Sequence, residues 1–354
     1  MAAGSPAAVG VAEAAGASKD PRLSFRLDRT TTSGVRHCCN GDARRDRRTG
    51  RCVRQKGDSM NEQRIGIVGI GRMGSGIAAR LTALGPVAAF DIDPTRREAV
   101  EHAGATWMES ITAIVRSSDV LVTVLPGPSE TDAVMREALP ALDSGAVWVD
   151  LTSGDPGRTS ALAETAAERG IEVVAAPMGG GPTDAAGGTL TFYVGGAPDA
   201  VGRATPILNR LSADGGIRLC GPRPSDGVVV KLLANALWFA NAVAAGEALL
   251  IGAGHGLAPQ HLHALLADSA GSSTALAEHL PAVFRGDYLT TFGIDRVVEE
   301  LDAVTALAGA ASVSSPVLDA STDVHRHALA RFGPVLGELL GVRLIEETAG
   351  RDLR

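Results

Sequence analysis

The sequence predicts an α/β fold with a doubly wound parallel sheet first, then one long helix and an all-α carboxyl-terminal part. Three observations support this prediction. Short apolar runs alternate with helix-like stretches between residues 61 and 222, which is typical of a parallel sheet covered on both faces. A proline-free apolar stretch, 227–255, then has the pattern of a single helix, and the segments after it show no strand alternation.

The expected strands are the apolar runs 64–70, 87–93, 119–126, 146–152, 171–178 and 189–196. We therefore expect a leader over 1–59, a sheet domain over 60–222, an interdomain helix over 223–256 and an all-α domain over 257–354.

The leader differs from the rest of the chain in charge. Residues 1–59 contain 12 Lys and Arg against 6 Asp and Glu, and they show neither helical nor strand periodicity. We expect this segment to be disordered. Two alternatives stay open: an Arg-rich transit peptide, or a mis-assigned start with Met60 as the natural first residue.

The body of the chain is acidic, with 21 basic against 34 acidic residues after position 59. This balance argues against nucleic acid as its main partner. Cys220 is its single cysteine, which fits the reducing cytoplasm. In the long helix only Lys231 and Glu247 carry formal charge, and the 15 residues between them are too few to cross a bilayer, which needs about 20. We expect no membrane association.

A glycine motif follows the first strand. Gly69, Gly71 and Gly74 form G-x-G-x-x-G between a strand and a helix, where free backbone N–H groups can hold a pyrophosphate. Asp91, 22 residues after Gly69, ends the second strand and can accept hydrogen bonds from ribose hydroxyls. The motif predicts a Rossmann domain that binds NAD, while Arg96 and Arg97 leave NADP open.

Lys231 is the candidate catalytic residue. Oxidation of an alcohol needs a base for the hydroxyl proton, and partial burial in an apolar helix lowers a lysine pKa toward the working range. Asn235 lies four residues later on the same helix face and can hold the lysine and a substrate oxygen in place.

Four further segments are similar to those of a known family. They are VLPGPSETDAV (124–134), DLTSGDP (150–156), APMGGGPTDAAGGTLTFYVGG (176–196) and KLLAN (231–235). In this order the chain resembles the β-hydroxyacid dehydrogenases, such as 3-hydroxyisobutyrate dehydrogenase and tartronate semialdehyde reductase.

The resemblance implies an NAD(P)-dependent oxidoreductase that interconverts a 3-hydroxyacid or related small alcohol and its semialdehyde. It implies homodimers or homotetramers assembled through the helical domain, which also contributes to substrate binding. No metal is expected. Expected cofactor contacts are Gly69, Gly71, Arg72, Met73, Gly74, Asp91, Leu125, Pro126 and Ser153; expected substrate contacts are Thr152, Gly179, Gly180, Gly181 and Trp238.

Two other functions stay open. An imine reductase could share this fold, although such enzymes usually lack the helix lysine. A non-catalytic NAD-binding protein would bind cofactor whether or not Lys231 is present.

Departures from the family pattern concentrate around the substrate. Gly179 replaces a serine, Asp184 a glycine and Thr274 a tryptophan. The Lys-Asp pair expected after Phe292 aligns with Glu299–Glu300. A negative group in place of a positive one disfavours a small dianionic substrate and suits a neutral or amine-bearing one.

Overall fold

The computed structural model describes residues 43–45, 52–54 and 63–354 of the 354-residue chain. Within the leader it describes two strands, β1 (Ala43–Arg45) and β2 (Cys52–Arg54), which pair antiparallel. The predictions of leader disorder and of a start at Met60 otherwise fall outside the described residues and stay predictions. Residues 60–354 form one compact unit.

A nine-stranded sheet organises the first half of this unit. Its strands are β3 (Ile65–Val68), β4 (Val87–Phe90), β5 (Thr106–Trp107), β6 (Val120–Thr123), β7 (Val147–Asp150), β8 (Glu172–Ala175), β9 (Met178–Gly179), β10 (Leu190–Gly196) and β11 (Ser212–Gly221). The order is β11-β10-β8-β7-β6-β3-β4-β5, with β9 paired to β10. The run from β8 to β5 is parallel throughout, as the alternating pattern predicts.

Three features of the sheet depart from the expectation. The two-residue strand β5 lies in none of the expected apolar runs. The strand β10 runs antiparallel to β8, because β9 folds back on β10 around one short helix. The edge strand β11 has no continuous apolar run, since two glycines and charged residues interrupt it and residues 213–215 are exposed, and periodicity therefore does not reveal it.

Helices cover the sheet and form the rest of the unit. They are α1 (Gly74–Leu81), α2 (Arg97–His102), α3 (Ile111–Arg116), α4 (Pro128–Ala138), α5 (Pro156–Ala167), α6 (Pro182–Gly187), α7 (Pro198–Leu211), α8 (Pro224–Gly254), α9 (Pro259–Ala267), α10 (Ile294–Ala310), α11 (Pro316–Phe332) and α12 (Leu340–Ala349). Shorter helical turns are Thr82–Leu84, Pro94–Arg96, Ala275–His279 and Leu280–Arg285. From α8 onward the described chain is helical apart from one isolated bridge, Gly293 with Leu336.

The long helix α8 joins the two halves. It is long and apolar enough to cross a membrane by length and composition alone. Its buried side chains Val228, Leu232 and Phe239 instead share one core with Ala175 of the sheet and with α10. Each such apolar side chain stabilises the fold by about 1.5–3 kcal/mol when fully buried. The helix therefore acts as a core element that fixes the helical half against the sheet.

Candidate active site

The glycine loop between β3 and α1 has the shape that a dinucleotide needs. Gly69 has φ +99°, and a Cβ on it would lie 2.2 Å from the Val124 carbonyl oxygen. A Cβ on Gly74 would lie 1.9 Å from the Gly69 oxygen. At Gly71, by contrast, a Cβ would meet nothing within 4 Å. The loop is thus tight on its protein side and open where a pyrophosphate can approach the helix N-terminus.

The other loop residues face different surroundings. Met73 packs against the apolar core of the sheet domain, whereas the Arg72 guanidinium donates to the carbonyl oxygen of Thr291, 2.6 Å away in the helical half. Arg72 therefore links the glycine loop to the helices, a contact that spacing in the sequence does not reveal.

Asp91 lies beside this loop at the end of β4. One carboxylate oxygen accepts from the Ile70 N–H at 2.6 Å, and the other accepts from the Asp93 N–H at 2.9 Å. Each oxygen keeps a further lone pair for a ribose hydroxyl. The structure thus places Asp91 next to the glycine loop, as the motif predicts.

The arginines near Asp91 already have partners. Arg96 forms an ion pair with Asp93, and Arg97 pairs with Glu109 while lying over the Trp107 ring. Both guanidinium groups are therefore paired with acidic side chains of the chain itself, and a 2′-phosphate of NADP would have to compete with these side chains.

A hydrogen-bond chain fixes the carboxyl ends of β6 and β7. Trp148 Nε1 donates to Thr123 Oγ1, which donates to Asp150 Oδ1 at 2.8 Å. Asp150 Oδ1 also accepts from the Thr152 N–H, and Thr152 Oγ1 accepts from the Leu125 N–H at 3.1 Å. These hydrogen bonds hold two predicted site residues, Leu125 and Thr152, in a fixed position relative to each other.

Next to these two residues, Pro126 is exposed and Ser153 is partly buried. The loop carrying Ser153 lies against α8, because a Cβ on Gly154 would be 3.7 Å from Val228. The predicted substrate loop and the long helix therefore meet.

The buried Asp150 makes the stability of the folded chain depend on pH. Burial raises its pKa to about 6, against about 3.9 in an unfolded chain. Since the folded state holds the proton more tightly, this group's contribution is complete below pH 4 and is lost as pH rises through 6. The side chain of Asp150→Asn stays neutral. We therefore expect the free energy of unfolding of this variant, relative to that of the original chain, to rise by about 3 kcal/mol between pH 4 and pH 7.

Urea unfolding of the variant and of the original chain, at pH 4 and at pH 7, measures this difference in the free energy of unfolding. Asp143→Asn is the matched control, because Asp143 is exposed just before β7. Parallel stability curves for the Asp150 variant and the original chain would contradict the prediction.

A close helix–strand crossing positions α8. A Cβ on Gly227 would lie 2.3 Å from the Tyr193 carbonyl oxygen, and one on Gly195 would lie 2.6 Å from the Gly227 N–H nitrogen. Only glycine at both positions permits this backbone contact between α8 and β10. One turn further along α8, the crossing brings Lys231 Nζ over the Tyr193 ring, 5.9 Å from its centroid.

Lys231 lies between Tyr193 of the sheet half and Glu300 of the helical half, an arrangement that we call the recess. Its side chain is partly exposed, yet protein surrounds the charged end closely enough that burial lowers its pKa. The carboxylates of Glu300 and Glu338 oppose this effect and raise the pKa. Lys231 is also the single lysine after residue 56, among 30 arginines in the whole chain. Lysine is the basic residue whose pKa shifts readily when it is buried, so its use at this one place suits proton transfer.

Asn235 connects Lys231 to a buried carboxylate. Lys231 Nζ donates to Asn235 Oδ1 at 2.9 Å, and Asn235 Nδ2 donates to Glu300 Oε2 at 2.6 Å. Because the carboxylate can only accept, it fixes the amide with its oxygen toward the lysine. The structure thus brings the two predicted catalytic residues together and adds Glu300 as their support.

The glycine turn approaches this recess from the sheet side. A Cβ on Gly179 would lie 3.7 Å from the Tyr193 ring, and Gly180 has φ +113°. Asp184, a departure from the family pattern, accepts from the Gly181 N–H at 2.8 Å and from the Thr189 hydroxyl. One donor of the predicted substrate turn is therefore already bound to a carboxylate of the chain itself.

Trp238 packs against two apolar cores. It stacks edge-on against Phe239, and its Nε1 donates to His279 Nδ1 at 3.3 Å. The predicted substrate contact of Trp238 stays a prediction.

The two glutamates aligned with the family Lys-Asp pair separate in the structure. Glu299 is exposed and accepts from Arg296 Nη1 at 2.8 Å, whereas Glu300 is buried and points to Asn235. The Arg296 guanidinium lies beside Gly127, 3.0 Å from where a Cβ would be. The charge reversal at position 299 is thus offset by an arginine one turn away, and the negative charge that faces the site is Glu300.

Comparisons with known proteins identify the family of the chain. The profile of the NAD-binding domain of 6-phosphogluconate dehydrogenase matches residues 64–221, and that of the NAD-binding region of NADP-dependent 3-hydroxyisobutyrate dehydrogenase matches 225–344. The chain is 31% identical to 2-(hydroxymethyl)glutarate dehydrogenase of Eubacterium barkeri, over 74% of this chain and 87% of the relative. The chain belongs to the β-hydroxyacid dehydrogenase family.

One further relative and one solved structure are also similar to this chain. L-threonate dehydrogenase of Cupriavidus necator is 29% identical over 68% of this chain and 82% of its own length. The Mycobacterium tuberculosis 3-hydroxyisobutyrate dehydrogenase, solved with L-serine, shares the fold with a TM-score of 0.74 at 23% identity, covering 80% of this chain and 99% of that one. The protein is accordingly an NAD(P)-dependent oxidoreductase, and the predicted family, fold and cofactor class are confirmed.

Sequence reasoning missed two residues at the recess. Tyr193 lies within the quoted segment 176–196, and the Gly195–Gly227 crossing explains why it lies under Lys231. Glu338 follows α11 in a loop with no motif. Glu338 accepts from the Thr291 hydroxyl. No sequence spacing rule predicts that it lies near Lys231, which is about a hundred residues earlier on α8.

Proposed function

We propose that Lys231 is the general acid/base of a dehydrogenase that interconverts a 3-hydroxyacid, or a related small alcohol, and its semialdehyde. The observation that supports this proposal is the Lys231–Asn235–Glu300 chain at the junction of the cofactor loops and the helical half. NAD(P), when bound, supplies the hydride acceptor.

The chain's own residues account for the proton. Neutral Lys231 accepts the hydroxyl proton while hydride leaves the carbinol carbon, and its ammonium form returns the proton in the reverse direction. Burial favours the neutral form, and the carboxylates of Glu300 and Glu338 favour the charged form. Burial is the larger of these effects, so the pKa of Lys231 lies below its ordinary value.

Residues of the sheet half complete the site. The open face at Gly71 and the α1 N-terminus would hold the pyrophosphate, and Asp91 the adenosine ribose. Thr152, fixed by Asp150, and the turn Gly179–Gly181 would hold the substrate opposite Lys231. The presence of Lys231 favours alcohol oxidation over imine reduction.

The experiment that tests this function is NAD(P)-linked turnover of a panel of 3-hydroxyacids, followed by absorbance of the reduced nicotinamide. The panel includes 3-hydroxyisobutyrate and L-threonate. Turnover of at least one alcohol that depends on Lys231 is the expected result. Cofactor binding without turnover of any alcohol would instead favour a non-catalytic role.

We expect NAD to bind more tightly than NADP. The Asp91 carboxylate repels a 2′-phosphate, and Arg96 and Arg97 are paired with acidic side chains. Asp91→Ser removes the repulsion and should shift the ratio of the two dissociation constants toward NADP about tenfold or more. Fluorescence titration with NADH and NADPH measures this ratio, and an unchanged ratio would contradict the role of Asp91.

The assembly we propose is a homodimer or homotetramer that works in the cytoplasm. Exposed apolar side chains, Val230, Leu233, Leu237 and Ile251, lie along α8, and a second copy of the chain can cover them. Light scattering should give a mass that is two or four times 36.2 kDa, and a monomer mass would contradict this proposal.

A further inference from the structure

The aromatic ring of Tyr193 forms the side of the recess that belongs to the sheet. Lys231 Nζ lies 5.9 Å from the ring centroid, within the range of about 6 Å over which a ring attracts a cation. On the other side of the recess, Asn235 and Glu300 belong to helices. The sheet thus presents the face of an uncharged ring to the lysine.

The fold fixes the position of this ring. Tyr193 lies on β10 two residues before Gly195, so the backbone crossing with α8 sets its place relative to the helix. Its edge approaches Gly179, where a Cβ would lie 3.7 Å from the ring. Tyr193 also pairs with Arg218 on β11, whose guanidinium lies over the same ring, 5.6 Å from its centroid. The strand neighbour, the glycine turn and Lys231 therefore bound the ring.

The ammonium form of Lys231 has three N–H donors, and among the described residues one hydrogen-bond acceptor serves them. That acceptor is Asn235 Oδ1, at 2.9 Å. Burial disfavours an ammonium group whose other donors have no partner. The face of an aromatic ring is negative and can attract one of these donors. The third N–H then remains for the oxygen of a substrate.

Formal charges around Lys231 come from three further elements. The carboxylates of Glu300 on α10 and of Glu338 before α12 favour the ammonium form. The guanidinium of Arg218 on β11 carries a like charge and disfavours it. The ring has no net charge, so its effect depends on where Nζ lies over its face. It therefore favours one orientation of the lysine end together with the charge.

We propose that Tyr193 is a positioning residue, whose ring face binds the ammonium form of Lys231 and directs a free N–H toward the substrate oxygen. This inference rests on the proposed function and adds a residue to it. During oxidation the hydride goes to NAD(P)⁺ and the hydroxyl proton goes to the lone pair of Nζ, where the ring stabilises the charge that forms. During reduction the ammonium returns the proton, and the ring is unchanged in both directions.

Replacement of the ring tests this role by the direction of one change. In the full chain with 13Cε-labelled lysine, NMR should show that Tyr193→Leu lowers the pKa of Lys231 by about 0.4 to 1.5, as an attraction between cation and ring implies. Loss of packing alone would raise the pKa, because water that enters beside a smaller side chain favours the ammonium form. Tyr193→Phe keeps the ring and should keep the original value.

A fluorinated ring separates the electrostatic effect from the shape of the side chain. Trifluorophenylalanine at position 193 keeps the shape of phenylalanine and withdraws negative charge from the ring face. It should therefore lower the pKa of Lys231 below that in Tyr193→Phe, and this comparison stands even if Tyr193→Leu does not fold. Phe90→Leu is the matched control, because the Phe90 ring packs in a core without α8 and its loss should leave the Lys231 signal unchanged.

The outcomes separate this inference from the proposed function. A pKa of Lys231 that rises or stays the same in Tyr193→Leu, or that does not respond to fluorination, would overturn the role of the ring and leave Lys231 as the proposed acid/base. If the role is correct, the pH at which kcat/KM for alcohol oxidation rises should fall in Tyr193→Leu by the same amount as the pKa. Absence of NAD(P)-linked turnover with every alcohol, despite the change in the NMR titration, would instead remove the proposed function and with it the part of the ring in the reaction.

Discussion

Replacement of Lys231 by methionine is expected to lower kcat about 10²- to 10⁴-fold in both directions, which is the usual contribution of a positioned acid/base group. Methionine keeps the apolar stem of the side chain and removes the group that carries the proton. Lys231→Arg should lower kcat to a similar extent, because a guanidinium does not deprotonate in proteins. Steady-state rates on the best alcohol of the panel measure the loss.

Two controls show that the loss is chemical. The dissociation constant for NADH should stay the same, because the cofactor loops lie on the sheet half. The thermal midpoint of Lys231→Met should stay equal or rise, since a buried ammonium is replaced by an apolar group. A variant that keeps a tenth of the original rate or more would exclude Lys231 as the acid/base.

The second large effect is expected at the glycine loop. Gly71→Val places a side chain in the open space that the pyrophosphate would occupy, where a Cβ meets no protein atom within 4 Å. We expect cofactor affinity to fall about tenfold to a hundredfold, as overpacking by 1–3 kcal/mol implies, with no loss of thermal stability. Fluorescence titration with NADH and a thermal melt measure the two quantities.

Gly202→Val is the matched control for this change. A Cβ at Gly202, on the exposed side of α7, also meets nothing within 4 Å, but it lies outside the cofactor loops. Its cofactor affinity should be unchanged. Equal affinity in the Gly71 variant and the original chain would show that the pyrophosphate does not approach the loop there.

Local patterns in the sequence predict the parts of this site that depend on short-range geometry. The G-x-G-x-x-G spacing predicts the loop from Gly69 to Gly74, and the i, i+4 spacing predicts that Lys231 and Asn235 meet. The apolar stretch predicts α8 over 223–256, and the structure has it over Pro224–Gly254. The domain boundaries themselves remain predictions.

Contacts between distant segments could not be predicted in this way. The approach of Glu338 to Lys231 depends on how α10, α11 and α12 pack, and the bond between Asp184 and Gly181 depends on one turn. The aligned pair Glu299–Glu300 illustrates the limit. Sequence alone assigns both charges to the pocket, whereas helix geometry turns Glu299 outward to Arg296 and only Glu300 inward.

The central claim, that the surrounding protein lowers the pKa of Lys231 and so adapts it to proton transfer, can be measured without a known substrate. In the full chain labelled with [13Cε]lysine, NMR gives signals from three lysines, and Lys231→Arg identifies one of them. We predict that this signal titrates below the ordinary lysine value of about 10.4, and still lower in Glu300→Gln, since a carboxylate that raises its pKa is removed. A signal that titrates at or above the ordinary value, and does not move in Glu300→Gln, would contradict this account.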